Sequence, residues 1–153
     1  MNPHIDHHDV IATISLGMQL LAALLFLITA VAFHGGGIVA ATRFMRLEDR
    51  ALRFHRVDAR AFGILIGTTL WLFGLHLMEV AAYAAFYLAV GALKGFEAAL
   101  FYSLSAYTTL GQPDVNFPDQ WRIFGAIEGL VGFLLIGWST AVFFADMNKL
   151  LRE

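Results

Sequence analysis

Between Val10 and Thr42 the chain carries no Asp, Glu, Lys or Arg. A helix crosses about 30 Å of hydrocarbon with roughly 20 apolar residues, so this stretch is more than long enough to span a bilayer. Lipid then restricts the whole fold, because backbone polar groups there must be satisfied inside helices or closed barrels. Two further stretches share the property: 61 to 93, interrupted only by His76 and Glu79, and 123 to 145, interrupted by Glu128. Composition points the same way, with 59% hydrophobic and 14% charged residues against roughly 45–50% and about 25% in soluble domains. This excludes a disordered tail and argues against a water-soluble monomer. The expected fold class is an all-α integral membrane protein with three transmembrane helices. Ten Lys+Arg against twelve Asp+Glu offer no basic surface for a phosphate backbone, so nucleic acid is not an expected partner. The absence of cysteine removes disulfides, thiolate zinc sites, iron–sulfur clusters and cysteine nucleophiles.

The first nine residues contain no Lys or Arg, unlike the basic opening of a signal peptide, so the first helix reads as a retained anchor. Six arginines (Arg43, Arg46, Arg50, Arg53, Arg56, Arg60) follow it, and Lys149 and Arg152 follow the third span. The positive-inside rule puts both groups in the cytoplasm, with the amino terminus outside. An even number of crossings must separate them, and the second and third helices supply two. The apolar segment 96 to 109, too short to span, should therefore enter from outside and return. The Arg-rich segment reads as a cytoplasmic extension of the helices near anionic headgroups.

The re-entrant segment runs from a helix-compatible stretch into Thr108-Thr109-Leu110-Gly111-Gln112-Pro113-Asp114, where Gly111 and Pro113 should end regular helix. Non-helical backbone at membrane depth needs enclosure by protein or a wet cavity. Three helices cannot enclose it alone, whereas a symmetric oligomer can, its carbonyls facing water and ions. Rings of carbonyl dipoles that replace a cation's hydration shell are how cation pores select.

Thr108 to Asp114 resembles the T-T-V-G-Y-G-D signature of potassium-channel pores. Phe101-Tyr102-Ser103 resembles the start of that family's pore helix, Trp121-Arg122 opens an inner helix, and Glu128 to Gly137 is similar to inner helices of bacterial two-transmembrane channels. The resemblance covers about residues 61 to 150 and implies a homotetramer in a bacterial plasma membrane, passing monovalent cations without chemistry or a covalent cofactor. It implies an outer helix 61–93, a pore helix 96–108, a filter 108–114 and an inner helix 121–150. Residues 1–9, a first helix 10–42 and a linker 43–60 would precede them. Potassium or sodium would bind at Thr109, Leu110 and Gly111, supported by Thr108. The family's tyrosine position is Gln112 here and its second glycine is Pro113. Proline fixes φ near −65° and restricts its predecessor, so the inner sites should persist, the outer ones should open into a vestibule, and discrimination against sodium should be weak.

Other residues admit two readings each. Asp114 either rings the outer mouth with carboxylates or caps a turn after Pro113. Glu128 should face protein, bonded to pore-helix groups such as Ser103, Ser105 or Tyr107, and not coordinate the ion. His76 and Glu79 share a helix face and should form a buried pair, packing or gating. Gly125, Gly129 and Gly132 give one close-packing face, and Gly132 or Gly137 is a candidate hinge by family resemblance. Asp146 should pair with Lys149 rather than ring the inner mouth. His4, His7 and His8, with Asp6 and Asp9, are ligand types for zinc or copper, although a short terminus is more simply exposed. His34-Gly35-Gly36-Gly37 is similar to an esterase oxyanion loop, but no G-x-S-x-G elbow exists, and the glycines read as packing the first helix. A membrane haem protein would need His34 and His76 at one depth; measured from the ends of the apolar runs, they fall at different depths. A nonconducting sensor or assembly subunit with the same architecture is the remaining alternative.

Overall fold

The computed structural model describes residues 15–51, 57–111 and 117–150. Four helices account for most of them: α1 (Leu16–Ala51), α2 (Val57–Ala89), α3 (Phe96–Tyr107) and α4 (Arg122–Leu150), the last entered through a short 3-10 turn, Asp119–Trp121. No strand occurs among the described residues. Leu16–Arg43, Phe62–Ala89 and Asp119–Ala145 are long and apolar enough to cross a membrane, and the protein is an all-α integral membrane protein.

Several helix ends differ from the expected ones. The first helix continues nine residues past Thr42, to Ala51, and α2 begins at Val57. The Arg-rich segment, read in the sequence as an extension of the helices, is helical over 43–51 and 57–60, and residues 52–56 lie outside the described residues. Alternating Arg, Leu, Ala and Glu favour helix once lipid no longer selects apolar side chains. At its other end α2 stops at Ala89, short of the expected 93. Gly91 there takes φ 68°, a left-handed conformation that costs glycine little, and Ala92 N–H returns to the Tyr87 carbonyl at 2.9 Å. Helix α3 then starts after Gly95 and ends at Tyr107, one residue before the expected 108.

Helix α3 lies against α2 and α4, and α1 packs on α4 and α2. Toward one end of the bundle is an aromatic layer in which Tyr83, Tyr87, Phe117, Trp121 and Phe124 are buried. Ala30, Val131 and Leu135 form a middle layer, and Ile38, Leu72 and Leu75 a third, on the side toward Ala51 and Val57. Small residues set the spacing: a Cβ on Gly37 would stand 2.5 Å from Leu75, and the Trp71 indole donates to the Gly37 carbonyl at 3.0 Å. Many large apolar residues remain exposed on all three long helices, among them Leu21, Leu70, Phe73, Leu130 and Phe133. In water such patches would drive aggregation, whereas in hydrocarbon they are ordinary lipid or subunit contacts. Thr29, Thr69 and Thr140 return their hydroxyls to the carbonyl four residues back, each at 2.8 Å, which satisfies a polar group on a lipid-compatible face.

Candidate pore segment and its buried polar supports

Helix α3 has Glu97 in its first turn, where the helix dipole favours a carboxylate, and its carbonyl end carries partial negative charge. At that end Thr108 N–H and Oγ1 both bond the Leu104 carbonyl, at 3.1 and 2.7 Å, and Thr109 N–H bonds Ala106 O at 2.9 Å. Thr109 has φ 61° and Gly111 φ 60°, whereas Leu110 between them is not left-handed. Residues of alternating hand turn successive N–H groups to one side and carbonyls to the other. The Gly111 N–H turns back to Ser105 O at 3.2 Å. A β-branched residue in the left-handed region is strained, and here the two return bonds on either side hold it. Thr108, Thr109, Leu110 and Gly111 are all exposed in the single chain. Gln112, Pro113 and Asp114 lie outside the described residues, as do His4, His7 and His8.

Glu128 of α4 is fully buried and sits between two hydroxyls. Tyr87 donates to its Oε2 and Ser103 to its Oε1, each at 2.5 Å, and the Ser103 hydroxyl is also 2.9 Å from the Val80 carbonyl. Of the partners anticipated for Glu128, Ser103 is the one in contact; Tyr107 goes elsewhere, and Tyr87 carried no signal in the sequence. An acid buried in an apolar helix needs such donors, since an unpaired one costs several kcal/mol.

The second buried acid, Glu79 of α2, joins all four helices. Its Oε1 lies 2.9 Å from His34 Nδ1, and its Oε2 accepts the Tyr107 hydroxyl and lies 3.4 Å from His76 Nδ1. His76 Nδ1 is also 2.8 Å from the Tyr107 oxygen, and Ser139 Oγ lies 2.8 Å from His34 Nε2 and 3.1 Å from His76 Nε2. The result is a closed ring of five side chains between the middle and third apolar layers. His76 and Glu79 are indeed on one face, but as two members of this larger group. The different depths expected for His34 and His76 are corrected: their rings stand 4.8 Å apart. Because α1 runs to Ala51 and α2 starts at Val57, the two histidines lie at similar distances along their helices from those ends. Their centroid separation and shared contact with Ser139 leave no room for a macrocycle between them, so the haem reading does not fit. His34, His76 and Glu79 offer ligand atoms within 4.8 Å of one another, a grouping of metal-ligand types.

Gly125, Gly129 and Gly132 of α4 share the face toward α3. A Cβ on Gly125 would meet the Tyr102 hydroxyl at 2.5 Å, one on Gly129 the Ala106 carbonyl at 2.9 Å, and one on Gly132 would overlap the Tyr107 carbonyl and ring. Gly137 has nothing within 4 Å, and α4 is continuous through both hinge candidates. The side chains of Asp146 and Lys149 are outside the described set.

A short helix seated between two membrane-spanning helices, ending in a strained, exposed turn, is the arrangement of a pore loop. Residues 74–149 match the family model described as "Ion channel". This part of the chain is similar to the ion-channel family. Comparison with curated proteins and with solved structures returns no match. The ion-channel domain takes in the second half of α2, all of α3 and nearly all of α4, whereas α1 lies wholly outside it.

Proposed function

We propose that the protein is a tetrameric channel that passes monovalent cations, potassium with weak preference over sodium, with its amino terminus outside and its carboxyl terminus in the cytoplasm. One observation carries the reading: Thr108 to Gly111 expose non-helical backbone at the carbonyl end of a helix whose last residue, Tyr107, reaches His76 near the middle of the α2 span. Lipid does not tolerate that backbone, so other copies of the chain must enclose it. Four such helix ends aimed at one axis would place partial negative charge where a dehydrated cation needs it. The alternating hand at Thr109, Leu110 and Gly111 would turn successive carbonyls toward that axis, and the Thr109 hydroxyl would add an oxygen. Gln112, Pro113 and Asp114 would shape a wider outer mouth, and fewer consecutive sites would mean weaker discrimination. In this reading Glu128 acts as a support of the pore helix and not as an ion ligand. The channel moves ions down their gradient with no bond made or broken.

The test is flux in liposomes with opposed potassium and sodium gradients, comparing the unaltered chain with Thr109→Ala. Both ions should move faster than in empty vesicles, potassium faster than sodium, and the substitution should alter that ratio. If an intact tetramer moves neither ion, the chain is a nonconducting member of the same architecture.

A further inference from the structure

We propose that His34, His76 and Glu79 form a binding site for a zinc-class divalent ion that fastens α1 to the pore domain. Two imidazoles and a carboxylate suit zinc and its borderline neighbours, whereas calcium and magnesium take oxygen donors. The arrangement of the ring supplies three further reasons.

The first is orientation. Both Nε2 atoms face the same Ser139 oxygen, and both Nδ1 atoms face the Glu79 carboxylate side. A metal-bound imidazole fixes its other nitrogen as a donor, and an oxygen that accepts from both rings is the outer support such ligands use. The second is spacing. Ligand atoms of a tetrahedral zinc at about 2.0–2.1 Å stand about 3.3 Å apart. The 2.9 Å between His34 Nδ1 and the ligand oxygen Glu79 Oε1 must open slightly, and His76 Nδ1 already stands 3.4 Å from the same carboxylate, at Oε2. The third is a shortage of hydrogens. The ring has five contacts, His34–Glu79, His34–Ser139, His76–Ser139, His76–Tyr107 and Tyr107–Glu79. With ionised Glu79 and neutral imidazoles it has four hydrogens to fill them, one each on His34, His76, Ser139 and Tyr107. One positive centre is missing beside a carboxylate buried at membrane depth. A divalent ion supplies it and completes the contacts of its ligands: both Nε2–H donate to the Ser139 oxygen, both Nδ1 and Glu79 Oε1 bind the ion, and Tyr107 donates to Oε2. His76 keeps 17% of its side chain accessible, which gives the ion a route in, while His34 is sealed behind it.

The test measures metal, not flux, so its outcome is separate from that of the channel reading. The full chain, with His4, His7 and His8 changed to alanine so that the amino terminus adds no imidazole, is purified in detergent, stripped with chelator and equilibrated with zinc ion alone. It should retain about one zinc per chain, with X-ray absorption showing nitrogen and oxygen neighbours at about 2.0–2.1 Å. Zinc, but not magnesium, should raise the thermal midpoint. Ser139→Ala keeps all three ligands and should weaken retention roughly 10–100-fold, and His34→Gln should abolish it. A folded, unsubstituted site that retains no zinc overturns the proposal and assigns the missing charge to a single proton. Retention unchanged in both His34→Gln and Ser139→Ala overturns it as well, by moving the metal elsewhere.

Discussion

The two buried glutamates hold the same short helix by different means. Glu128 reaches the middle of α3 through Ser103, and its other partner, Tyr87, belongs to α2; every group lies within the residues that match the ion-channel family. Glu79 reaches the end of α3 through Tyr107, but it also binds His34 of α1, outside that match. The first is a support internal to the pore domain. The second is the place where an additional helix meets those residues, through Glu79, whose other oxygen holds Tyr107 just before the exposed turn.

If that division of labour holds, damage near Glu128 should disrupt the pore domain and damage near Glu79 should loosen α1 first. The largest effect should come from Gly132→Val, because the new carbons meet the Tyr107 backbone carbonyl, which cannot rotate away as a side chain could. A loss of about 3 kcal/mol or more is expected, read as loss of the folded protein in a thermal melt, while Gly137→Val, with open space around it, should melt near the unaltered chain. Next, Glu128→Leu strands the buried Tyr87 hydroxyl and should cost about 1–3 kcal/mol. Glu79→Leu should cost a similar amount but appear differently: protease should cut the hairpin between α1 and α2 sooner, with assembly of the remaining helices preserved. Equal protection of α1 in the two variants would break the comparison. A smaller change of opposite sign is expected from Thr109→Gly, which relieves a left-handed β-branched residue and should stabilise the fold by about 1 kcal/mol, at the expense of the hydroxyl. The smallest is Gly36→Ala, where a helical glycine with nothing within 4 Å should yield about 0.5–1 kcal/mol of stability.

The spans and the short helix were legible because lipid writes its demands into charge distribution: the gaps between charged residues gave three crossings, and length alone separated 96–109 from them. The need of Glu128 for a pore-helix donor was legible for the same reason, since an acid inside a span has few tolerable surroundings. What stayed hidden was register. Where α1 stops is decided by helix propensity beyond the membrane, not by the end of the apolar run, and an offset of a few residues there moved His34 away from His76 on paper. Ser139 gave no sign at all, being one hydroxyl among several on apolar helices, and Tyr87 looked like any core aromatic. Their roles depend on pairing across helices remote in sequence, which single-chain periodicity does not encode.

The last residue of helix α3, just before its C-cap Thr108, is an aromatic ring whose hydroxyl is gripped by an acid from another helix. The starting point of the turn that follows is therefore set by side-chain bond lengths and not by loop slack. A lever is thereby built in: a small rocking of α1 that carried His34 with it would reach the Thr108–Thr109 pair through only two intervening side chains. Helix α1, which presents Leu21, Leu24 and Ile28 on its exposed face, is thereby mechanically continuous with the turn after Tyr107.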